Sequence, residues 1–425
     1  MGSPVLSSVP GDRFALLFRL TQTFTSSLDL TEVLNRVMDE VIATLQAERG
    51  FVMLVEEGGN LDFRAARGFD HHDIQAPEFE ISRGAVKQVA HEGQPILTSD
   101  AQTDERFSGR QSVQNLKLRS VMCVPLKVKD RVTGVIYVDN RIKANIFTVS
   151  DLDLLGAIAS LAAIAIENAR LYQIAIKEAR MEQELQTARQ MQISLLPDEI
   201  PLIPGWEFAA YWKPAREVAG DFYDFIPLPD GKLGLVIADV CDKGMAAALF
   251  MALSRSILRA SLGNSPTPAD DISHANRSIC GDSNIGYFVT LFYAMLDPAS
   301  GLLTYVNAGH NPPLLFQSSS GSSQMTPVEL TRTGIALGAD ALLPYQQKTI
   351  QLDPGDFIFL YTDGITEAED RMGQAFGLLR LQQILQGHLS ESATEIISWV
   401  EKTVTDFTAS ATPFDDIALM VVRRL

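Results

Sequence analysis

Between Asp151 and Leu195 the chain runs 45 residues with no proline and a single glycine, Gly156. No period-two alternation interrupts the run, so it reads as one helix of about 68 Å at ~1.5 Å per residue. Leu171, Ile174, Glu178, Met181, Leu185, Ala188, Gln192 and Leu195 step alternately by three and four, the spacing of a coiled-coil seam. Lys177, Arg180, Glu182, Glu184 and Arg189 occupy the other face, and Pro197 ends the helix. A stripe this long outruns the surface of one small domain. The spacing therefore predicts a homodimer through a helical coiled-coil linker at 173–196, with Glu178 and Gln192 weakening the seam. The alternative is that the stripe packs on its own chain. Either way, globular parts lie before and after the helix.

Composition sets the class. The chain has 425 residues, 46% hydrophobic and 20% charged, as expected of two or three packed domains. The longest nearly unbroken apolar run, 155–166, is shorter than the roughly 20 residues that span a bilayer. Residues 1–8 lack the basic start and apolar segment of a signal peptide, and Cys123, Cys241 and Cys280 form neither a disulfide framework nor a CxxC pattern. The expectation is a cytoplasmic protein with incidental thiols. Net charge is −17, and residues 197–425 carry 14 Lys and Arg against 27 Asp and Glu. Such acidity argues against nucleic acid or an anionic membrane as partner and suits a site that gathers carboxylates around cations.

The first half reads as α+β. Apolar residues at helical spacing fill 14–20 and 30–45, strand-like runs come next at 50–55 and 61–66, and a helix starts after Ser82, its expected cap. Strands at 120–128 and 132–138 would be joined by a turn at Asp130 and Arg131. R-G-F at 49–51, E-G-Q-P at 92–95, V-P-L at 124–126, G-V-I at 134–136, F-T at 147–148, Asp151 and E-N-A-R-L-Y at 167–172 together resemble a GAF sensor domain over about 15–172. That resemblance implies a sheet-plus-helices fold binding an unknown small ligand or partner. Asn140, Arg141, Phe147 and Asp151 partly match the pattern of cyclic-nucleotide-binding members, although Leu152 stands where that pattern has Glu. Cys123 could attach a bilin but sits inside a strand, where a core role is the simpler reading.

The second half repeats one device. The apolar strand 357–361 leads to Asp363 and then Gly364, where we expect the glycine to turn the backbone away. Asp239 ends the apolar run 233–238, Asp221 stands where the chain bends into a strand, and Asp415 and Asp416 feed the run 417–422. Gathering several carboxylates in one cleft raises their pKa values unless cations neutralise them. All-oxygen ligands favour Mg²⁺ or Mn²⁺ over zinc, and two such ions bridged by an aspartate can activate a shared water and clamp phosphoryl oxygens. A helix at 245–262, with Ala246, Leu249, Phe250, Leu253, Ile257 and Leu258 toward the core, would open beside the Asp239 loop. The run 318–323 reads as a flexible loop.

In chain order, A-G-D-F-Y-D (219–224), A-D-V-C-D-K-G-M-A-A-A-L (238–249), A-G-H-N-P-P (308–313), G-I-A-L-G (334–338), L-Y-T-D-G-I-T-E (360–367) and the 415–416 Asp pair resemble the SpoIIE-like serine/threonine phosphatases of the PPM superfamily. The resemblance covers 197–425 and implies a PPM-type β-sandwich flanked by helices. It implies two Mn²⁺ or Mg²⁺ ions held by Asp221, Asp239, Asp363, Asp416 and the Val240 carbonyl. Asp239 would bridge, and Asp239 and Asp363 would be the catalytic pair. Its substrate would be a phosphorylated protein, an anti-sigma-factor antagonist by family resemblance. Cys241 and Asp242 replace the usual Ser-Gly, and Ala219 replaces a common Gly. Asp415 is either a further ligand or a turn residue, His310 either a general acid or a residue that shapes its loop, and Lys243 and Thr362 could assist near the phosphate; Glu367 is expected outside the ligand set. The competing reading is a catalytically inactive, GAF-gated partner-binding module. The domain plan is thus a tail at 1–14, a sensor at 15–172, the linker and a phosphatase at 197–425.

Overall fold

The computed structural model describes residues 10–25, 27–56, 58–70, 72–74, 81–104, 118–282, 286–318, 327–409 and 415–425. All but the first residue of the expected flexible loop at 318–323 lies outside them. The chain divides into two compact units, residues 1–181 and 182–425.

The first unit contains α1 (Pro10–Thr25), α2 (Leu30–Leu45), β1 (Arg49–Val55), β2 (Leu61–Gly68), α3 (Arg83–Glu92), β3 (Ile96–Thr98), β4 (Ser120–Val128), β5 (Arg131–Asn140) and the start of α4 (Val149–Leu195). The antiparallel sheet runs β2-β1-β5-β4-β3. Period-two alternation gives it two apolar faces. Val52, Met122, Val124, Ile136 and Val138 pack with α2 and with Leu155, Ile158 and Ala162 of α4, while Phe51, Met53, Val121, Cys123, Val135 and Tyr137 pack with α3. By length and composition α4 could cross a membrane; 39% of its apolar window is buried, Leu155, Ile158 and Ala162 in the core of the unit, while Ile164 is exposed. Arg49 lies opposite Asp139 in the β1–β5 register and clasps its carboxylate through two bonds of 2.9 and 2.6 Å. Burial still pushes the Asp139 carboxyl up to about 6.

Three expectations shift here. The β4–β5 turn is Lys129-Asp130, not Asp130-Arg131, because Arg131 pairs with Val128 and Lys129 takes the left-handed conformation (φ 54°). Ser82 stands at the N-cap of α3, but its hydroxyl makes no capping bond. Residues of the nucleotide-binding pattern do structural work. Asn140 accepts the N–H groups of Ile142 and Lys143, Phe147 is buried in the core, and Asp151 accepts the N–H and hydroxyl of Thr148 at the start of α4.

The second unit continues with β6 (Trp206–Lys213), β7 (Phe222–Pro227), β8 (Leu233–Val240), α5 (Met245–Ser261), α6 (Pro268–Asp282), β9 (Val289–Asp297), β10 (Leu302–Ala308), β11 (Leu314–Phe316), β12 (Val328–Glu329), β13 (Lys348–Gln351), β14 (Phe357–Tyr361), α7 (Asp363–Thr366), α8 (Leu378–Gly387), α9 (Ala393–Phe407) and β15 (Ile417–Arg424). Two five-stranded sheets form, β13-β10-β9-β8-β7 and β12-β11-β14-β15-β6. Ile358, Leu360, Ala418, Met420 and Val422 face a core shared with the first sheet, α5 and α6. Phe357, Phe359, Tyr361, Leu419 and Val421 face outward to α8 and α9. This is a β-sandwich with helices on its outer faces, so the whole fold is α+β.

Two further expectations change. The buried face of α5 is Ala247, Ala248, Phe250, Met251, Ser254, Arg255 and Leu258, while Leu249 is 65% exposed. Gln192, placed on the helical seam, is instead buried and bonded to Ala219. From Leu171 to Glu184 α4 is exposed on every side, Leu171, Ile174 and Met181 included.

Candidate metal centre

Strand register alone makes two neighbouring pairs of acids. Phe222 pairs with Ala238, which sets Asp221, just before β7, beside Asp239 near the end of β8. Tyr361 pairs with Leu419, and the Thr362 N–H donates to the Ala418 carbonyl at 3.1 Å. Asp363, opening α7, therefore lies beside Asp416, just ahead of β15. Each sheet supplies one pair.

The pairs feel each other. Burial first, then Asp239 and Asp416, holds the Asp221 carboxyl well above the usual range. Burial, then Asp363, pushes Asp239 up to about 7. Burial, then Glu367 and Asp415, pushes Asp363 up to about 6. Burial raises Asp416 as well, against two main-chain N–H bonds. Asp221 is 2% exposed, and its Oδ2 has no hydrogen-bond partner. Asp239 and Asp363 are only half-buried, so the cluster opens to solvent.

Other residues brace these four. Asp416 accepts the N–H groups of Ala215 and Gly220, both at 2.7 Å, tying the loop before β7 to the second sheet. Asp415 accepts the Asp416 N–H at 2.9 Å and pairs with Lys243 at 2.8 Å. The Thr362 hydroxyl accepts the Ala418 N–H at 2.9 Å and is fully buried, joining β14 to β15, and its side chain also favours the ionised Asp221 carboxyl against burial. A Cβ on Gly220 would stand 3.2 Å from the Val240 carbonyl, so that carbonyl packs directly on the loop carrying Asp221. Gly364 has no left-handed conformation; it starts a helical turn, and a methyl group there would overlap the Asp416 carbonyl oxygen. Close approach, rather than a turn away, requires the glycine. Asp242 adopts φ 73° where a glycine is usual, its carboxylate accepting the N–H of Lys243 at 2.8 Å. Glu367 is exposed.

His310 is fully enclosed. Its Nδ1 lies 2.8 Å from the Thr290 hydroxyl, its main-chain N–H donates to the Asn307 side-chain oxygen at 2.9 Å, and burial pushes its imidazole down to about 3. A ring that stays neutral and buried shapes the loop; it is a poor proton donor at neutral pH.

Sequence reasoning missed Asp224. It is 1% exposed, binds Arg259 through two bonds of 2.6 and 2.7 Å, and meets Arg255 at 3.0 Å. The arginines' spacing of four on α5 was the available signal. Beside Lys243 and Gly364 opens a cleft of about 990 Å³ with Lys213, Arg216 and Glu401 on its walls.

The donor chemistry suits a hard divalent cation: carboxylate oxygens, one of them buried and unpartnered, beside a main-chain carbonyl. Among the described residues, however, no three Asp, Glu, His or Cys side chains close around one point as ligands of a single ion. The two oxygens of Asp416 are engaged by main-chain N–H groups.

Fold and site together define a sensor domain followed by a PP2C-type β-sandwich. The GAF domain profile matches residues 29–166, and that of stage II sporulation protein E (SpoIIE) matches residues 229–425. The chain thus carries a GAF domain followed by a SpoIIE-type phosphatase domain. It is 32% identical over 277 residues to Protein IcfG of Synechocystis sp., covering 59% of this chain and 43% of IcfG. It is 28% identical over 250 residues to the phosphoserine phosphatase RsbU of Bacillus subtilis, covering 58% of this chain and 72% of RsbU. With the phosphoserine phosphatase RsbP of the same organism the figures are 25% over 190 residues, 44% of this chain and 46% of RsbP. The chain thus spans less than half of IcfG and RsbP. The SiaA-PP2C domain of Pseudomonas aeruginosa superposes with a TM-score of 0.52 at 22% identity, over 59% of this chain and 99% of that one, which shows the fold.

Proposed function

We propose that this chain is a Mn²⁺- or Mg²⁺-dependent phosphatase acting on phosphoserine or phosphothreonine in a protein, gated by its GAF domain. One observation carries the reading: four aspartates from four separate segments of both sheets meet at one solvent-open edge, each raised in pKa, with Asp221 Oδ2 buried and unpartnered. Phosphatases of this class are generally metal-dependent. Asp221, Asp239, Asp363, Asp416 and the Val240 carbonyl would hold two ions, Asp239 between them. When bound, such ions supply a water of lowered pKa and neutralise the phosphoryl oxygens. Mg²⁺ keeps several waters and needs only one or two carboxylates, which accommodates the open arrangement. Lys213 and Arg216 bring positive charge to the cleft through which a phosphate would approach. Of these four aspartates, Asp239 and Asp363 are the more exposed and would meet an incoming ester.

The substrate is proposed to be a phosphorylated anti-sigma-factor antagonist, in keeping with the likeness to RsbU and RsbP. The sensor at 15–172 would signal through the linker at 173–196, whose exposed apolar stripe suits a homodimer, to the phosphatase at 197–425. The setting is proposed to be the cytoplasm.

Hydrolysis of p-nitrophenyl phosphate with Mn²⁺, abolished by Asp239→Ala, tests the reading; no turnover by the unaltered chain with any divalent ion would overturn it. A phosphoserine protein cleaved in preference to free phosphoserine tests the substrate class. The second reading, a silent GAF-gated binding module, is favoured by the absence of a closed three-ligand group among the described residues. Mn²⁺ binding measured by calorimetry separates the two.

A further inference from the structure

The last turns of α4 end in a contact that the seam spacing conceals. Gln192 is 5% exposed, and its amide grips the main chain of Ala219 from both sides. The Ala219 N–H donates to Gln192 Oε1 at 3.0 Å, and Gln192 Nε2 donates to the Ala219 carbonyl at 2.8 Å. The same Nε2 reaches the Ala248 carbonyl at 3.4 Å, in the first turn of α5. Three of the four hydrogen bonds an amide can make are therefore spent on two main-chain segments.

Those segments matter for the site. The residue after Ala219 is Gly220, whose N–H is held by Asp416 and whose Cα packs on the Val240 carbonyl; the next is Asp221. Ala248 belongs to the helix that comes after the Asp239 strand and its loop. One side chain on the connecting helix thus joins the supports of both acids in the first sheet. Moving a helix by one residue along its axis displaces a side chain by about 1.5 Å, more than a hydrogen bond tolerates.

We infer that Gln192 is a positioning residue through which the register of α4 sets the Asp221 loop, and with it the competence of the metal centre. The catalytic arm of this inference rests on the phosphatase reading; its structural arm does not. A helix seated with Gln192 in its pocket holds Ala219 and Asp221 in place. A helix rotated or slid out of register leaves the Ala219 peptide unpaired and the loop free to move.

The test uses the full chain with Gln192→Met, which keeps the side chain's length and removes every polar bond. Amide exchange at Ala219 and Gly220 should accelerate about tenfold while the sandwich strands keep their protection. With p-nitrophenyl phosphate and Mn²⁺, kcat should fall roughly tenfold while KM stays within about twofold, and more Mn²⁺ should be needed for half-activity. Gln192→Glu keeps an acceptor for the Ala219 N–H and, only while its carboxyl is protonated, a donor for the Ala219 carbonyl, so protection at that amide should return at low pH and be lost as the carboxyl ionises; it also carries the test if the Met variant does not fold. Unchanged exchange at Ala219 in Gln192→Met overturns the inference. So does a loss of kcat accompanied by faster exchange across the whole 197–425 segment, the mark of general loosening. If the unaltered chain hydrolyses no ester with any divalent ion, the phosphatase reading fails and the exchange results alone decide.

Discussion

Gly364 lies directly against the main-chain carbonyl of Asp416, so close that no side chain fits between them. This contact holds the acidic ends of β14 and β15 together within the second sheet, setting Asp363 beside Asp416. Gly364→Ala should force the start of α7 away from β15 and cost at least 1–3 kcal/mol in the second unit, as overpacking against rigid backbone does. Gly156 is the control, being helical with nothing near the position of a new Cβ. Gly156→Ala should stabilise by about 0.5–1 kcal/mol. Urea unfolding tracked separately for each unit measures both.

Asp363→Asn should act in opposite directions with and without metal. The folded Asp363 carboxyl sits at about 6 against an ordinary 3.8, so its ionisation above that pH opposes the metal-free fold. Removing the charge should stabilise the metal-free protein at pH 7.5 by about 1 kcal/mol once solvent screening is allowed for. With Mn²⁺ present the order should reverse, because the variant loses a ligand and most turnover. Melting curves with EDTA and with Mn²⁺ show whether the order changes; the same order in both would mean the cluster is drawn wrongly.

The buried imidazole of His310 predicts an acid weakness. Its folded pKa, about 3, lies below the ordinary 6.5, so the unfolded chain takes up a proton first as pH falls. Stability is fully present above about 6.5 and declines toward 3, by at most roughly 1.4 kcal/mol per pH unit from this one group. His310→Gln should flatten that part of the curve by up to one proton, as measured by the pH dependence of the urea midpoint. An unchanged slope would contradict the assignment.

Asp242 holds a left-handed backbone that costs an ordinary residue about 1–2 kcal/mol and an Asp somewhat less. Asp242→Gly should leave stability equal or up to about 1 kcal/mol higher, and Asp242→Val should lower it by about 1–2 kcal/mol. Thermal unfolding of the second unit distinguishes these outcomes.

Much of this architecture was legible because short unbroken runs of strand-forming apolar residues mark buried strands. Phe357 to Tyr361 is such a run, buried on both faces, and Asp363 stands just beyond it. Gln192 was illegible for the converse reason. Helical spacing reports that a residue lies on a stripe, not what the stripe meets, and the partner of Gln192 is a main chain 27 positions later. The buried face of α5 is rotated from the expected one, since apolar content favours Leu249 and Leu253 while the need of Arg255 to reach Asp224 sets the rotation. Gly364 has the look of a turn residue because sequence shows only neighbours along the chain, and the carbonyl that excludes its side chain belongs to a strand passing beside it.

The two acids of the 219–224 motif have opposite neighbours: Asp221 faces other carboxylates, and Asp224 faces Arg255 and Arg259. Their separation of three residues along an extended segment sends them to opposite sides. Length is therefore the motif's most exacting property. Deleting one residue between them would leave a separation of two and put both acids on one side, so that either Asp221 leaves the carboxylate cluster or Asp224 leaves its arginines. Losing either carboxylate alone would leave the other in its place.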